Sequence, residues 1–260
     1  MSAVRRVSVM SPVRMLRQFS ILLGREIEAL FMTPIHYGVI TVALLFNGWS
    51  FWYALQQFQG NVEEAVRFFF GQSPLVWLVI VLVPPLLTMR LFAEERRSGT
   101  LEMLLTAPVG EVEVVLAKFG AGLAFYLTIW IPSLLYLAIV KSYGAIPDFG
   151  PLATSYLGIV LVGALFTAAG LFASSLTSTQ VLAALLATVF NLLLLLVPLI
   201  SQFTGIEAVE RFFIELAIWR HFGDSFTKGI VDSSHVAFYV LFTAVILFWT
   251  VRVLESQRWR

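Results

Sequence analysis

The residues best suited to chemistry in this sequence are His221, Asp224, Asp232 and His235, four imidazole and carboxylate groups within one short stretch. Such groups form transition-metal sites and acid–base pairs. Their spacing matches no His-Glu-x-x-His or similarly compact ligand pattern, so no metal site is expected. The remaining histidine, His36, lies beside Pro34 and reads as an interfacial residue. No Gly-x-x-x-x-Gly-Lys-Ser/Thr loop is present to cradle phosphates, and with no cysteines there are no disulfides, thiolate ligands or cysteine nucleophile. A membrane-embedded enzyme would need paired ionisable or nucleophilic groups inside its apolar segments. These segments offer no Ser–His or Asp–Asp arrangement, so the chain is not expected to be an enzyme and its polar residues must be explained by positioning and docking.

The elements that would do the positioning follow from composition. Hydrophobic residues make up 59% of the 260 and charged residues only 13%, against roughly 25% charged in a soluble domain. Lipid is the solvent that accommodates this excess of apolar surface. A net charge of +1, with basic residues in short clusters between apolar runs, argues against nucleic acid as a partner. An ion at the bilayer centre is costly, so windows free of Asp, Glu, Lys and Arg mark spanning helices. They predict an all-α polytopic protein, residues 1–260 forming a single transmembrane domain with spans at about 34–56, 73–88, 119–140, 152–173, 181–202 and 233–251. The polar run Ser174-Ser175-Leu176-Thr177-Ser178-Thr179-Gln180 divides the fourth from the fifth.

If both termini are cytoplasmic, that side receives twelve basic residues, among them Arg25, Arg90, Arg96, Arg97 and Lys118, and the other side five. The asymmetry predicts this orientation. The first 16 residues are basic but lack a compact apolar core followed by a cleavage site, so no cleaved signal peptide is expected. Leu16, Phe19, Leu23, Ile27 and Leu30 recur at helical spacing, with Arg14, Arg17, Arg25 and Glu28 on other faces, as in a helix lying in the membrane interface. Ile206, Val209, Phe213 and Leu216 form a similar stripe on the outer side.

Asn47 and Asn191 fall near the middles of the first and fifth spans. Each amide needs a partner or a water-filled path, so each marks either a polar pathway or subunit interface, or an interhelical hydrogen bond. Ala164/Ala168, Ala169/Ala173 and Ala183/Ala187 recur at four-residue spacing, which suits close helix packing or a dimer seam. Trp49, Trp52, Tyr53 and Trp259 sit where an interfacial aromatic belt belongs.

The most informative segment is the cytoplasmic loop Phe92-Ala93-Glu94-Glu95-Arg96-Arg97-Ser98-Gly99-Thr100-Leu101-Glu102-Met103-Leu104-Leu105-Thr106-Ala107-Pro108-Val109. Charges and a glycine end the second span; Leu101, Leu104 and Leu105 then give a short helix one apolar face, and Pro108 closes it. Such a helix is either an interfacial anchor or a plug for a partner's groove. The Glu94…Gly99-Thr100-Leu101-Glu102…Leu104-Leu105-Thr106…Pro108 pattern resembles the loop between the second and third spans of type-2 ATP-binding-cassette (ABC) transporter permeases, particularly the gliding-motility-type branch. Arg25-Glu26…Phe31…Thr33-Pro34…Tyr37 and His221-Phe222…Gly229-Ile230-Val231-Asp232 extend the resemblance over most of the chain.

The resemblance implies a half-transporter in the bacterial inner membrane, functioning in export. It would pair with a second permease, the same or a different chain, and dock on a separate ATPase that carries the ATP and Mg²⁺; this chain would hold no cofactor. In that family the loop acts as a coupling helix, a role that would fall here on Glu94, Gly99, Thr100, Leu101, Glu102, Leu104 and Leu105. The alternative is a membrane anchor or mechanical subunit of an envelope or motility complex that transports nothing.

Overall fold

The computed structural model describes residues 12–100, 110–142, 148–204 and 217–258, and these are entirely helical and connecting. In chain order the helices are α1 (Pro12–Phe31), α2 (Pro34–Gln57), α3 (Val62–Gly71), α4 (Pro74–Thr88), α5 (Ala93–Ser98), α6 (Glu111–Thr128), α7 (Ser133–Ser142), α8 (Phe149–Leu176), α9 (Gln180–Thr204), α10 (Ile218–Asp224) and α11 (Ser233–Arg258), with a 3-10 turn at Phe226–Lys228. Five segments are long and apolar enough to cross a membrane: Pro34–Gln57, Pro74–Ser98, Glu111–Ser142, Phe149–Leu176 and Ser233–Gln257. Helix α9 is apolar over Gln180–Leu196. The amphipathic stripe expected at 206–216 lies outside the described residues, as do residues 101–109 of the loop that follows α5.

Prolines set the local boundaries. Pro34 and Pro74 start α2 and α4, where a missing N–H costs nothing because the first turn's donors have no helical partner. Pro132 separates α6 from α7, since its ring clashes with the preceding turn and it cannot donate. Helix α3 was not anticipated, although its signal was present: Asn61 caps the first turn by accepting from the Glu64 N–H, and Glu63 and Glu64 complement the helix dipole.

Helix α8 is the centre of the bundle, packing against α4, α6, α9 and α11. Its most apolar 18-residue window is 72% buried, whereas that of α11 is 17% buried. The outward faces of α2, α9 and α11 expose Val42, Leu45, Leu185, Leu193, Leu241 and Val245, the apolar surface that composition demanded. Trp49, Trp52 and Tyr53 are exposed near the end of α2. Ala168, Ala169, Ala173, Ala183 and Ala187 are buried within the single chain, which accounts for their spacing by packing between neighbouring helices.

Three glycines let other elements close on α8. A Cβ at Gly158 would meet Phe222, one at Gly163 would collide with Tyr126, and one at Gly170 would collide with the Thr88 hydroxyl. The third contact sets the distance between α8 and the proline-containing end of α4. Gly170→Ala should therefore lower stability by about 1–3 kcal/mol, the usual cost of overpacking. Combining it with Thr88→Ala should recover part of the loss, as measured by thermal unfolding of the purified protein in detergent.

Candidate functional site

The loop expected to couple the chain to a partner leaves the bundle through α5 and returns at Gly110, and the structure surrounds its base with paired polar groups. Helix α4 ends at Thr88, a tight turn follows, and α5 begins at Ala93. The first N–H groups of a helix lack partners within it. Here the Ser174 hydroxyl, at the far end of α8, accepts from the N–H groups of Phe92 and Ala93, both at 3.1 Å, and donates to the Met89 carbonyl at 3.2 Å. One proton and two lone pairs are thus all used. The polar run that sequence reading treated as a divider between spans supplies this clamp. Its last residue, Gln180, accepts from Arg90 Nε at 3.2 Å, tying the end of α4 to the start of α9.

The second fixture is ionic. Lys118, one or two turns into α6, is 1% exposed, and its Nζ donates to Glu26 Oε2 at 3.0 Å and to Glu95 Oε1 at 2.8 Å. The Phe92 ring lies 5.3 Å from the same nitrogen. Arg25 pairs with the other Glu26 oxygen at 2.7 Å, so two cations and two carboxylates balance across α1, α5 and α6. Burial alone would raise the Glu26 pKa, but the Lys118 charge and the hydrogen bonds from Arg25 and Lys118 outweigh it and hold the carboxyl below its ordinary value. Glu26 is therefore ionised at neutral pH, as the pairing requires.

This cluster corrects one boundary. The third span was expected to begin after Lys118, because charges were taken to lie outside spans, yet the helix runs from Glu111 straight through Lys118. The cation is admitted because two carboxylates from elsewhere in the chain neutralise it.

Of the expected coupling residues, Glu94 is exposed on α5, while its neighbour Glu95 turns inward to Lys118. Gly99 ends α5 with φ of +73°, a left-handed conformation in which any side chain would be strained. Thr100 is exposed, and its hydroxyl meets Ser98 Oγ at 2.8 Å. Leu101, Glu102, Leu104 and Leu105 lie outside the described residues. At the loop's return, Glu113 accepts from the Gly110 N–H at 3.2 Å.

The two asparagines are both buried, in different circumstances. Asn191 Nδ2 donates to the Val81 carbonyl at 3.2 Å. That carbonyl would ordinarily accept from residue 85, but Pro85 has no N–H, so Asn191 fills a gap made by the proline. Neither amide atom of Asn47 has a hydrogen-bond partner among the described residues. His36 is buried rather than exposed at an interface; its Nδ1 lies 2.8 Å from the Leu30 carbonyl across the α1–α2 turn, and its ring packs on Phe125.

On the opposite side of the bundle, the His221 and His235 rings stack at 4.3 Å, and Ser225 Oγ lies 2.8 Å from His235 Nδ1. The neighbouring carboxylates are engaged locally. Asp232 accepts from the N–H and hydroxyl of Ser234, and Asp224 pairs with Arg220 and Lys228. Among the described residues no group of three metal-binding side chains converges.

A family model described as "ABC-2 family transporter protein" matches residues 3–250, nearly the whole chain. The chain belongs to that family. A search of curated proteins returns no match. Membership in the ABC-2 family makes this a multi-pass membrane protein and a permease-type subunit of an ABC transporter, a kind of subunit that is typically not catalytic itself and generally works with an ABC ATPase.

Two predictions test this network. Lys118→Met leaves the buried Glu26 with Arg25 alone and the half-buried Glu95 without its Lys118 partner, and should cost about 3 kcal/mol, the low end for a broken buried pair, whereas adding Glu26→Gln and Glu95→Gln should restore much of that stability in denaturant unfolding. Asn191→Leu should cost about 1 kcal/mol through the stranded Val81 carbonyl. It should cost less in a Pro85→Ala background, where the helix can supply the N–H, as a double-mutant cycle will report.

Proposed function

We propose that this ABC-2 chain is the permease half of an exporter, with six membrane crossings counting α9 and with both termini cytoplasmic. On this reading it resides in the bacterial inner membrane, pairs with a second permease and receives work from a separate ATPase through the loop carrying Glu94, Gly99, Thr100, Leu101, Glu102, Leu104 and Leu105. ATP and Mg²⁺ belong to that ATPase. Likeness to the gliding-motility branch rests on the loop pattern and on the patterns around Arg25 and His221.

The observation that carries this reading is the anchorage of the loop. Nucleotide-driven motion at the loop apex does work on the bundle only if the base does not yield, since a partner shifts a conformational equilibrium only by the difference in its interaction with the two states. Here Ser174 clamps the base to α8 and Glu95 joins it through Lys118 to α6. A displaced loop would carry those helices with it, while the outward Glu94 and the αL turn at Gly99 present the chain to a cytoplasmic partner.

The test is affinity purification of the tagged protein from gently solubilised membranes, with ATPase activity assayed on what accompanies it. Recovery of a stoichiometric ATPase is expected. Glu102→Ala with Leu105→Ala should reduce that recovery by about tenfold or more, the equivalent of 1.4 kcal/mol or more of docking energy. If the folded permease comes out alone in several detergents, or if the ATPase remains bound to the double variant, the coupling role of the loop is wrong.

A further inference from the structure

We infer that Lys118 is a positioning residue: by holding Glu26 of α1 and Glu95 of α5 together, it makes the amphipathic helix and the loop base move as one body. The inference rests on the coupling reading of the loop and extends it to α1, a helix that the loop pattern itself does not include.

Cohesion alone does not call for charge at this place. The α1–α6 contact is already apolar on both sides of the cluster, with Leu23 seated over Gly120 and Phe31 against Phe125. A buried ion pair is commonly no more stabilising than apolar side chains of the same volume. What ions add is register. Apolar surfaces can slide past one another at little cost, whereas a slip of α1 along α6 would part Glu26 from Lys118 and leave each of these buried charges with one ionic partner in place of two.

Among the described residues Lys118 ties these three segments together. Glu26 lies 92 residues away and Glu95 lies 23 away, and one ammonium reaches both. The ammonium also lies over the ring of Phe92, whose own N–H is held by Ser174. Arg25 completes the charge balance from the exposed edge of α1. The outer face of α1, with Arg17 and Ile21 exposed, is free to follow the loop along the membrane surface.

Electron–electron distance measurements decide the matter, and the absence of cysteines makes labelling clean. Labels at Ser20→Cys on α1 and Arg97→Cys on α5 report the linked pair; Glu64→Cys on α3 serves as reference, all three positions being exposed. In the complex with its ATPase, the Ser20–Arg97 distance should stay narrow and constant between nucleotide-free and nucleotide-bound states while the distances to position 64 change. In the isolated permease, Glu95→Gln should broaden the Ser20–Arg97 distribution about twofold, since a loosened linkage populates more conformers. A second pair, Ser20→Cys with Val112→Cys, should stay narrow in that variant because the Lys118–Glu26 bond remains. Lys118→Arg should keep both pairs narrow.

An unchanged Ser20–Arg97 width in Glu95→Gln overturns the inference, and so does broadening of both pairs, which would mark a general loss of structure. A wild-type Ser20–Arg97 distance that itself shifts with nucleotide overturns it too. If no ATPase associates, the coupling reading fails while the isolated-permease comparison still decides whether Lys118 fixes α1 to the loop base.

Discussion

In a hydrocarbon solvent no polar group can fall back on water, and the architecture of this chain depends on how that constraint is met. Each irregularity in the bundle frees a donor or acceptor that must find a partner inside the protein. Pro85 strands the Val81 carbonyl, and Asn191 of α9 bonds it. The restart of the helix at α5 strands N–H groups, and Ser174 accepts two of them. At the turn between α1 and α2 the Leu30 carbonyl accepts from the Thr33 N–H, and His36 Nδ1 comes within 2.8 Å of the same oxygen. Lys118 is the costliest case because it brings a full charge, and two carboxylates answer it. Asn47 stands apart, wholly buried with neither amide atom bonded among the described residues.

These repairs are concentrated on the C-terminal half of α4 and the loop it feeds. Two adjacent prolines interrupt the hydrogen-bond ladder of α4 before the turn at residues 89–92, and the Thr88 hydroxyl bonds back to the Pro84 carbonyl at 2.8 Å. A helix with missing rungs yields more easily unless braced. The bracing comes from three directions: Asn191 on α9 at the prolines, Ser174 on α8 at the turn, and Lys118 on α6 beyond it. An apolar core would have held the same helices together, but hydrogen bonds and ion pairs fix direction and register as well as proximity. A segment that is to deliver a displacement needs that specificity more than it needs cohesion.

The apolar helices were legible because a charge-free window is a local property, and among the described residues five segments are long and apolar enough to cross a membrane. The bracing was not, because every brace is long-range: Ser174 lies some 80 residues from the N–H groups it serves, and Lys118 lies 92 from Glu26. Lys118 read as the marker of a helix end since its neighbours in sequence supply no counter-charge. The two carboxylates that neutralise it meet it only in the fold. Ser174 read as part of a turn because serine next to threonine, serine and glutamine is ordinary turn chemistry. Asn191 was singled out, but its purpose needed the register of α4 against α9, which places the amide opposite the carbonyl that Pro85 abandons. Helix α3 is the reverse case, since its asparagine cap and acidic first turn were local signals present in the sequence.

Helix phase settles how one short helix can face both the bundle and the exposed surface. Successive residues on a helix point about 100° apart, so two consecutive glutamates cannot do the same work. Glu95 turns into the bundle and its charge is consumed by Lys118; Glu94 turns out and stays exposed. Gly99 then redirects the chain through a left-handed residue, so the direction in which the loop leaves α5 is set by backbone geometry and not by contacts at the apex. The base is thereby fixed in position by Glu95 and Ser174 and in direction by Gly99, independently of whatever the apex touches. On the coupling reading, a lever differs from a tether in having its base fixed in this way before any load is applied, and Glu95, Ser174 and Gly99 supply that fixed base.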